Sequence, residues 1–110
     1  MVTIFDDRLI SIRDRAVLLV GLSGVLRRSQ ITDLNVEDVK FDSDCLNVVV
    51  RSVTNAQPGQ THVIHIRKGI NEDTCPVRAL QTWLEASHLS NGALFRAIDR
   101  HGNLKGRMST

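Results

Sequence analysis

The sequence contains no tyrosine, and its aromatic residues are three phenylalanines and one tryptophan. These 110 residues alone therefore supply no phenolic hydroxyl for covalent catalysis. There are only two cysteines, Cys45 and Cys75. The N-terminal stretch MVTIFDDRLI is acidic early and has no signal-peptide layout, so the two are read as reduced thiols rather than a disulfide. The seven glycines are scattered, with no Gly-x-Gly-x-x-Gly or P-loop spacing to cradle a nucleotide. The longest apolar stretch, Ala16 to Leu22, is far short of the roughly 20 residues that span a bilayer. A cytoplasmic protein without a membrane partner is the expectation. Neither sign of charge dominates: Lys plus Arg total 14, Asp plus Glu 12, and the net charge is +2. That balance permits nucleic-acid binding without pointing to it, because an electrostatic footprint needs a clustered basic face.

What is present fits one small domain. A helix is expected from about Ser11 to Leu22, with Ser11 as N-cap and Asp14 completing an approximate capping pattern. Ile12, Ala16, Leu19 and Val20 share one stripe, and Val17, Leu18 and Leu22 extend it around the helix, which should therefore be buried. A second, shorter helix is expected from Arg28 to Leu34, with Leu26, Ile31 and Leu34 turned inward. The period then changes. Val39 to Phe41, Leu46 to Arg51 and Thr61 to Arg67 read as three strands, the last two joined by a loop marked by Asn55, Pro58 and Gly59. Thr74-Cys75-Pro76 opens a helix with a buried stripe of Val77, Leu80, Trp83 and Leu84. Leu94-Phe95 is a short apolar anchor, and Arg100 to Asn103 is a turn. The order predicts an α+β domain, helices flanking a small three-stranded antiparallel sheet.

Four of these segments, in this order, carry a resemblance. They are Arg13-Asp14-Arg15-Ala16-Val17-Leu18-Leu19, Gly24-Val25-Leu26-Arg27-Arg28-Ser29, Cys75-Pro76-Val77-Arg78-Ala79-Leu80 with Trp83-Leu84, and Leu94-Phe95-Arg96. Together they resemble the N-terminal part of the catalytic domain of the tyrosine recombinases (phage integrase family). The resemblance implies DNA recombination and integration, with double-stranded DNA gripped through its phosphate backbone. Family members cut DNA with a tyrosine, form a 3′-phosphotyrosine link, and hold the scissile phosphate with two arginines and a histidine. Fixed cationic donors suit that step, because charge grows on the non-bridging oxygens and an arginine fork offers two parallel charge-assisted hydrogen bonds. Arg27 matches the first catalytic arginine. Arg51 and Lys68 are further candidates for DNA contact.

The chain also departs from the family pattern. The nucleophilic tyrosine is missing, and no His-x-x-Arg motif is present. The usual place for that motif lies beyond Thr110, which implies a partial catalytic domain over residues 1–110. Two departures fall inside the matching part. Val53 stands where the hairpin lysine, the general acid, is expected, and Gln30 replaces an acidic residue three after Arg27. The expectation is thus a recombinase-related protein that is no enzyme as it stands, needing no cofactor, metal or small-molecule substrate. His62 and His65 are the nearest substitute acids, on opposite faces of a strand. With Cys45 and Cys75 they lack the paired spacings of a zinc module.

Two other readings compete. Arg28 to Val39 can pass for a helix-turn-helix fragment, which needs a recognition helix after Asn35. A partial domain can also expose the sheet and the Leu94-Phe95 region and so self-associate. Arg100, Lys105 and Arg107 form either a small basic strip or a soluble loose end.

Overall fold

In the computed structural model, which describes residues 9–43, 45–51, 61–71 and 74–108, the first apolar stretch forms helix α1, Leu9–Gly24. Leu9 and Ile10 are already helical, so Ser11 lies inside the helix and is not its N-cap. Leu9 and Ile12 pack against the core. Ala16 and Val20 are completely buried, but Leu18 and Leu22 are 59% and 68% exposed. The expected all-round burial fails for a geometric reason. Apolar side chains wrap the whole circumference of α1, whereas its neighbours cover one side of it.

Helix α1 ends in a tight reversal. Leu26 N–H donates to the Gly21 carbonyl at 2.9 Å, and Val25 takes a left-handed φ of 53°. Helix α2, Arg28–Thr32, then stops two residues before the expected Leu34, because the Leu34 N–H bonds to the Ile31 carbonyl at 3.2 Å and the four-residue ladder is not continued. Ile31 and Leu34 are buried as expected, and Leu26 packs on the core. After Asn35 comes a single 3-10 turn, Val36–Asp38, and then strand β1, Val39–Phe41. No recognition helix follows Asn35, so the helix-turn-helix reading falls.

Strands β2, Cys45–Arg51, and β3, Thr61–Arg67, complete an antiparallel sheet in the order β1-β2-β3. Val39 lies opposite Val48, Val48 opposite Ile64, and Leu46 opposite Ile66. Leu46, Val48, Val50 and Ile66 are buried, so the alternation seen in the sequence is the inward face of this sheet. The loop carrying Asn55, Pro58 and Gly59, together with Val53, lies outside the described residues.

Helix α3, Pro76–Ser87, carries proline in its first turn and buries Val77, Leu80 and Trp83, with Arg78, Gln81 and Glu85 outside. It packs against α1 and touches β3. Trp83 stacks on Phe95 with ring centroids 6.4 Å apart, and its Nε1–H donates to the Leu94 carbonyl at 2.7 Å. Leu94 and Phe95 are themselves fully buried. These two residues therefore offer no exposed surface for self-association.

A second sheet was not foreseen. Strands β4, Arg96–Ile98, and β5, Leu104–Arg107, pair antiparallel around the expected turn at Arg100 to Asn103. The Asp99 carboxylate organises that turn by accepting the N–H groups of His101 and Asn103 at 2.8 and 2.9 Å. Such short strands give too few residues for an alternating pattern to show. The fold is α+β, as read from the sequence, with this hairpin added.

Two stability outcomes follow from these contacts. Trp83→Phe leaves the buried Leu94 carbonyl without its donor and is expected to cost about 2 kcal/mol, measured by urea unfolding followed by circular dichroism. Val25→Asn relieves a β-branched residue in a left-handed conformation and is expected to stabilise the fold by about 1 kcal/mol in the same assay.

Candidate nucleic-acid interface

Arg27 occupies the N-cap position of α2 with extended backbone (φ −75°, ψ 156°), and its side chain is exposed. Its backbone N–H donates to Gln30 Oε1 at 2.8 Å. Gln30 is thus the third residue of a capping arrangement, and its amide oxygen satisfies a donor at the helix start. The residue that departs from the family pattern has a local task that a neutral amide performs well. Arg28, next in the chain, is also exposed.

Lys68 follows β3 directly and is exposed. The turn after it closes on the start of α3, where Gly69 N–H donates to Cys75 Sγ at 3.2 Å. A Cβ at Gly69 would sit 3.2 Å from Cys75 Cα, so this close approach favours glycine. Burial pushes the Cys75 thiol up, but the backbone N–H groups of Arg78, Gly69 and Val77 and the charge of Lys68 outweigh it and hold it below the ordinary thiol value. Both cysteines are free thiols, and Cys75 is buried.

The three candidate cations do not converge equally. A Cβ at Gly24 would lie 3.3 Å from Ile66 Cδ1, so the end of α1 that leads into Arg27 rests on the end of β3 that leads into Lys68. Arg51 pairs with Thr61, at the other end of the hairpin. The six residue steps from Thr61 to Arg67 put it about 20 Å away. Arg27 and Lys68 therefore belong to one edge of the molecule, and Arg51 does not.

The sheet register adds two cations, Lys40 and Arg67. Lys40 lies opposite Asn47, and Asn47 opposite His65, on the outward face of the sheet. Arg67 is two residues along from His65 and shares that face, and Lys40, His65 and Arg67 are all exposed. Counting parity from the buried Leu46 and Val48 identifies them. His65 Nδ1 is hydrogen-bonded to Asn47 Oδ1, and Asn47 Nδ2 donates to Asp42 Oδ2 at 3.3 Å. His62 lies opposite the buried Val50, so the two histidines belong to opposite faces as the strand period requires.

Other basic residues are structural. Arg107 donates to the carbonyls of Thr32 and Leu34 at 2.8 and 3.2 Å and to Asn35 Oδ1. Lys105 pairs with Asp99 at 3.5 Å. Of the three cations read as a basic strip or a loose end, Arg107 is thus an internal clamp, Lys105 part of a surface ion pair, and Arg100 exposed. Arg13, in the first family-like segment, binds Asp14 and donates to the Arg96 carbonyl at 3.1 Å, so this arginine ties α1 to β4.

No protein-family profile matches the chain. Over 100 residues it is 29% identical to an integrase/recombinase XerD homolog from Selenomonas ruminantium, an alignment covering 91% of this chain and 29% of that protein. The chain thus spans less than a third of the length of this relative, and it is similar to that recombinase along nearly all of its own length.

Proposed function

We propose that this chain is a recombinase-related DNA-binding unit, corresponding to the N-terminal part of a tyrosine-recombinase catalytic domain. Arg27 grips a backbone phosphate, and Lys68 and the outward basic residues of the sheet supply the surrounding positive field. The observation that carries this reading is the similarity to an integrase/recombinase over 91% of the chain, and the exposure of Arg27 supports it. On this reading the chain contributes phosphate contacts and no chemistry of its own, because the sequence holds no tyrosine to form a phosphotyrosine link. DNA integration and recombination are the processes in which such a unit takes part. Arg51, which pairs with Thr61 at the far end of the hairpin, is not part of the Arg27 site on this reading.

Fluorescence anisotropy with a labelled DNA duplex tests the binding. Affinity is expected to fall steeply between about 50 and about 200 mM salt, since each phosphate contact releases condensed counterions. Arg27→Ala is expected to weaken binding across all sequences and to reduce the salt slope by about 1. A curve that is flat with salt, or no binding at high protein concentration, overturns the DNA role. A nicked suicide duplex, run on a denaturing gel, is expected to yield no covalent protein–DNA adduct. An adduct would show a nucleophile other than tyrosine and end the non-catalytic reading.

A further inference from the structure

The exposed apolar residues of this molecule are mostly single and dispersed. Phe41 is on β1, Val63 on β3, and Ile70 in the turn after Lys68. One group differs. Ile10, Asp14, Leu18 and Leu22 follow one another at four-residue steps along α1 and therefore lie on one face of it, with Val25 just past the helix end; Asp14 separates Ile10, which is 38% exposed, from the Leu18-Leu22-Val25 stripe. Leu18, Leu22 and Val25 are 59%, 68% and 86% exposed. The opposite face of the same helix, at Ala16 and Val20, is the one turned into the core.

The charges at the two ends of this stripe are opposite. At its N-terminal end stands Asp14, whose side chain is 60% exposed and whose bonds from Arg13 both land on Oδ1. At its C-terminal end stand the exposed Arg27 and Arg28. A face that is apolar in the middle, acidic at one end and basic at the other is self-complementary under a two-fold axis. Two α1 helices crossing antiparallel, with the axis between Leu18 and Leu22, set Leu18 of each copy against Leu22 of its partner. The same register carries Asp14 of each copy to the Arg27-Arg28 end of the other. A parallel arrangement sets like charges together at both ends.

We propose that the Leu18-Leu22-Val25 stripe of α1 is a docking surface for a second copy of this chain, forming an isologous antiparallel dimer. This goes beyond the DNA-binding reading and does not depend on it. Three apolar side chains per copy make a patch well below the roughly 800 Å² per partner of a standard interface, so the dimer is weak and reversible. Its charged ends fix the register more than they add affinity.

Sedimentation equilibrium in the absence of DNA, from about 5 to about 500 µM protein, tests the surface. The unaltered chain is expected to shift from monomer to dimer across that range. Leu22→Glu replaces a side chain that is largely in water, so it leaves the fold intact by circular dichroism and is expected to weaken association at least about tenfold. Asp14→Arg is expected to weaken it as well, and combining Asp14→Arg with Arg27→Asp and Arg28→Asp is expected to restore it. A monomer at the highest concentration overturns the proposal and leaves the face to a different chain. So does a dimer that Leu22→Glu does not disturb, or one in which the triple reversal fails to recover what Asp14→Arg loses.

Discussion

The fold depends on one short strip, Gly92 to Arg96, through which separate elements are tied by hydrogen bonds. The Gly92 carbonyl accepts from Val36, Leu94 N–H donates to Leu34, and the Leu94 carbonyl takes the indole N–H of Trp83. The Phe95 carbonyl accepts from Met108, and the Arg96 carbonyl from Arg13. One extended stretch thus holds α1, the segment after α2, α3 and the end of β5. Buried backbone groups cost too much to leave unpaired, so each of these bonds fixes a position as well as a contact. The two fully buried side chains of the strip, Leu94 and Phe95, seat it against the tryptophan of α3.

That constraint determines where the candidate interface sits. The strip pins Leu34, and Arg107 clamps the carbonyls of Thr32 and Leu34, so the C-terminal end of the short α2 segment is held. Five residues of helix have little stability alone. Anchoring beyond the last turn and the Gln30 amide at the first together hold Arg27 in place. A long charged side chain on a loose loop would lose more freedom on gripping a phosphate than one launched from a fixed backbone. The position of Arg27 is therefore a product of packing that involves none of the other candidate cations.

Much of this was legible in the sequence, and the failures have physical causes. The three strands of the main sheet and the helix opening at Pro76 were read nearly to the residue, because alternation and a first-turn proline are local signals. The C-terminal ends of α1 and α2 were missed because they are set by Leu26 and Leu34 bonding backwards, which no propensity encodes. The β4-β5 hairpin escaped because its strands are short and only partly buried or exposed. Arg107 was read as a solvent cation because a clamp reaching from one end of the chain to Thr32 leaves no trace in spacing. Arg27 and Gln30 stood out only through the family likeness. Pattern alone gives an arginine at a helix start, and the pairing of the two through the helix cap appears only in three dimensions.

The exposure of Arg27 also bears on what the site can do. Two unit charges 4 Å apart attract by about 1 kcal/mol in water and by about 4 kcal/mol at the effective dielectric of a protein surface. Stabilising charge that grows during phosphoryl transfer needs the second regime, with water excluded and donors fixed before reaction. A guanidinium standing in solvent belongs nearer the first. Such a group can contribute to a phosphate contact, and the neighbouring Lys68 and sheet cations add to the field as independent, salt-screened terms. Conversion from grip to catalysis calls for a wall that closes over Arg27 and lowers the local dielectric. Among the described residues, the side chains around it are exposed or half-buried: Arg28 and Lys68 in the open, Leu26 and Gln30 partly covered. Among the described residues, the open surroundings of Arg27 leave its charge screened by water and salt.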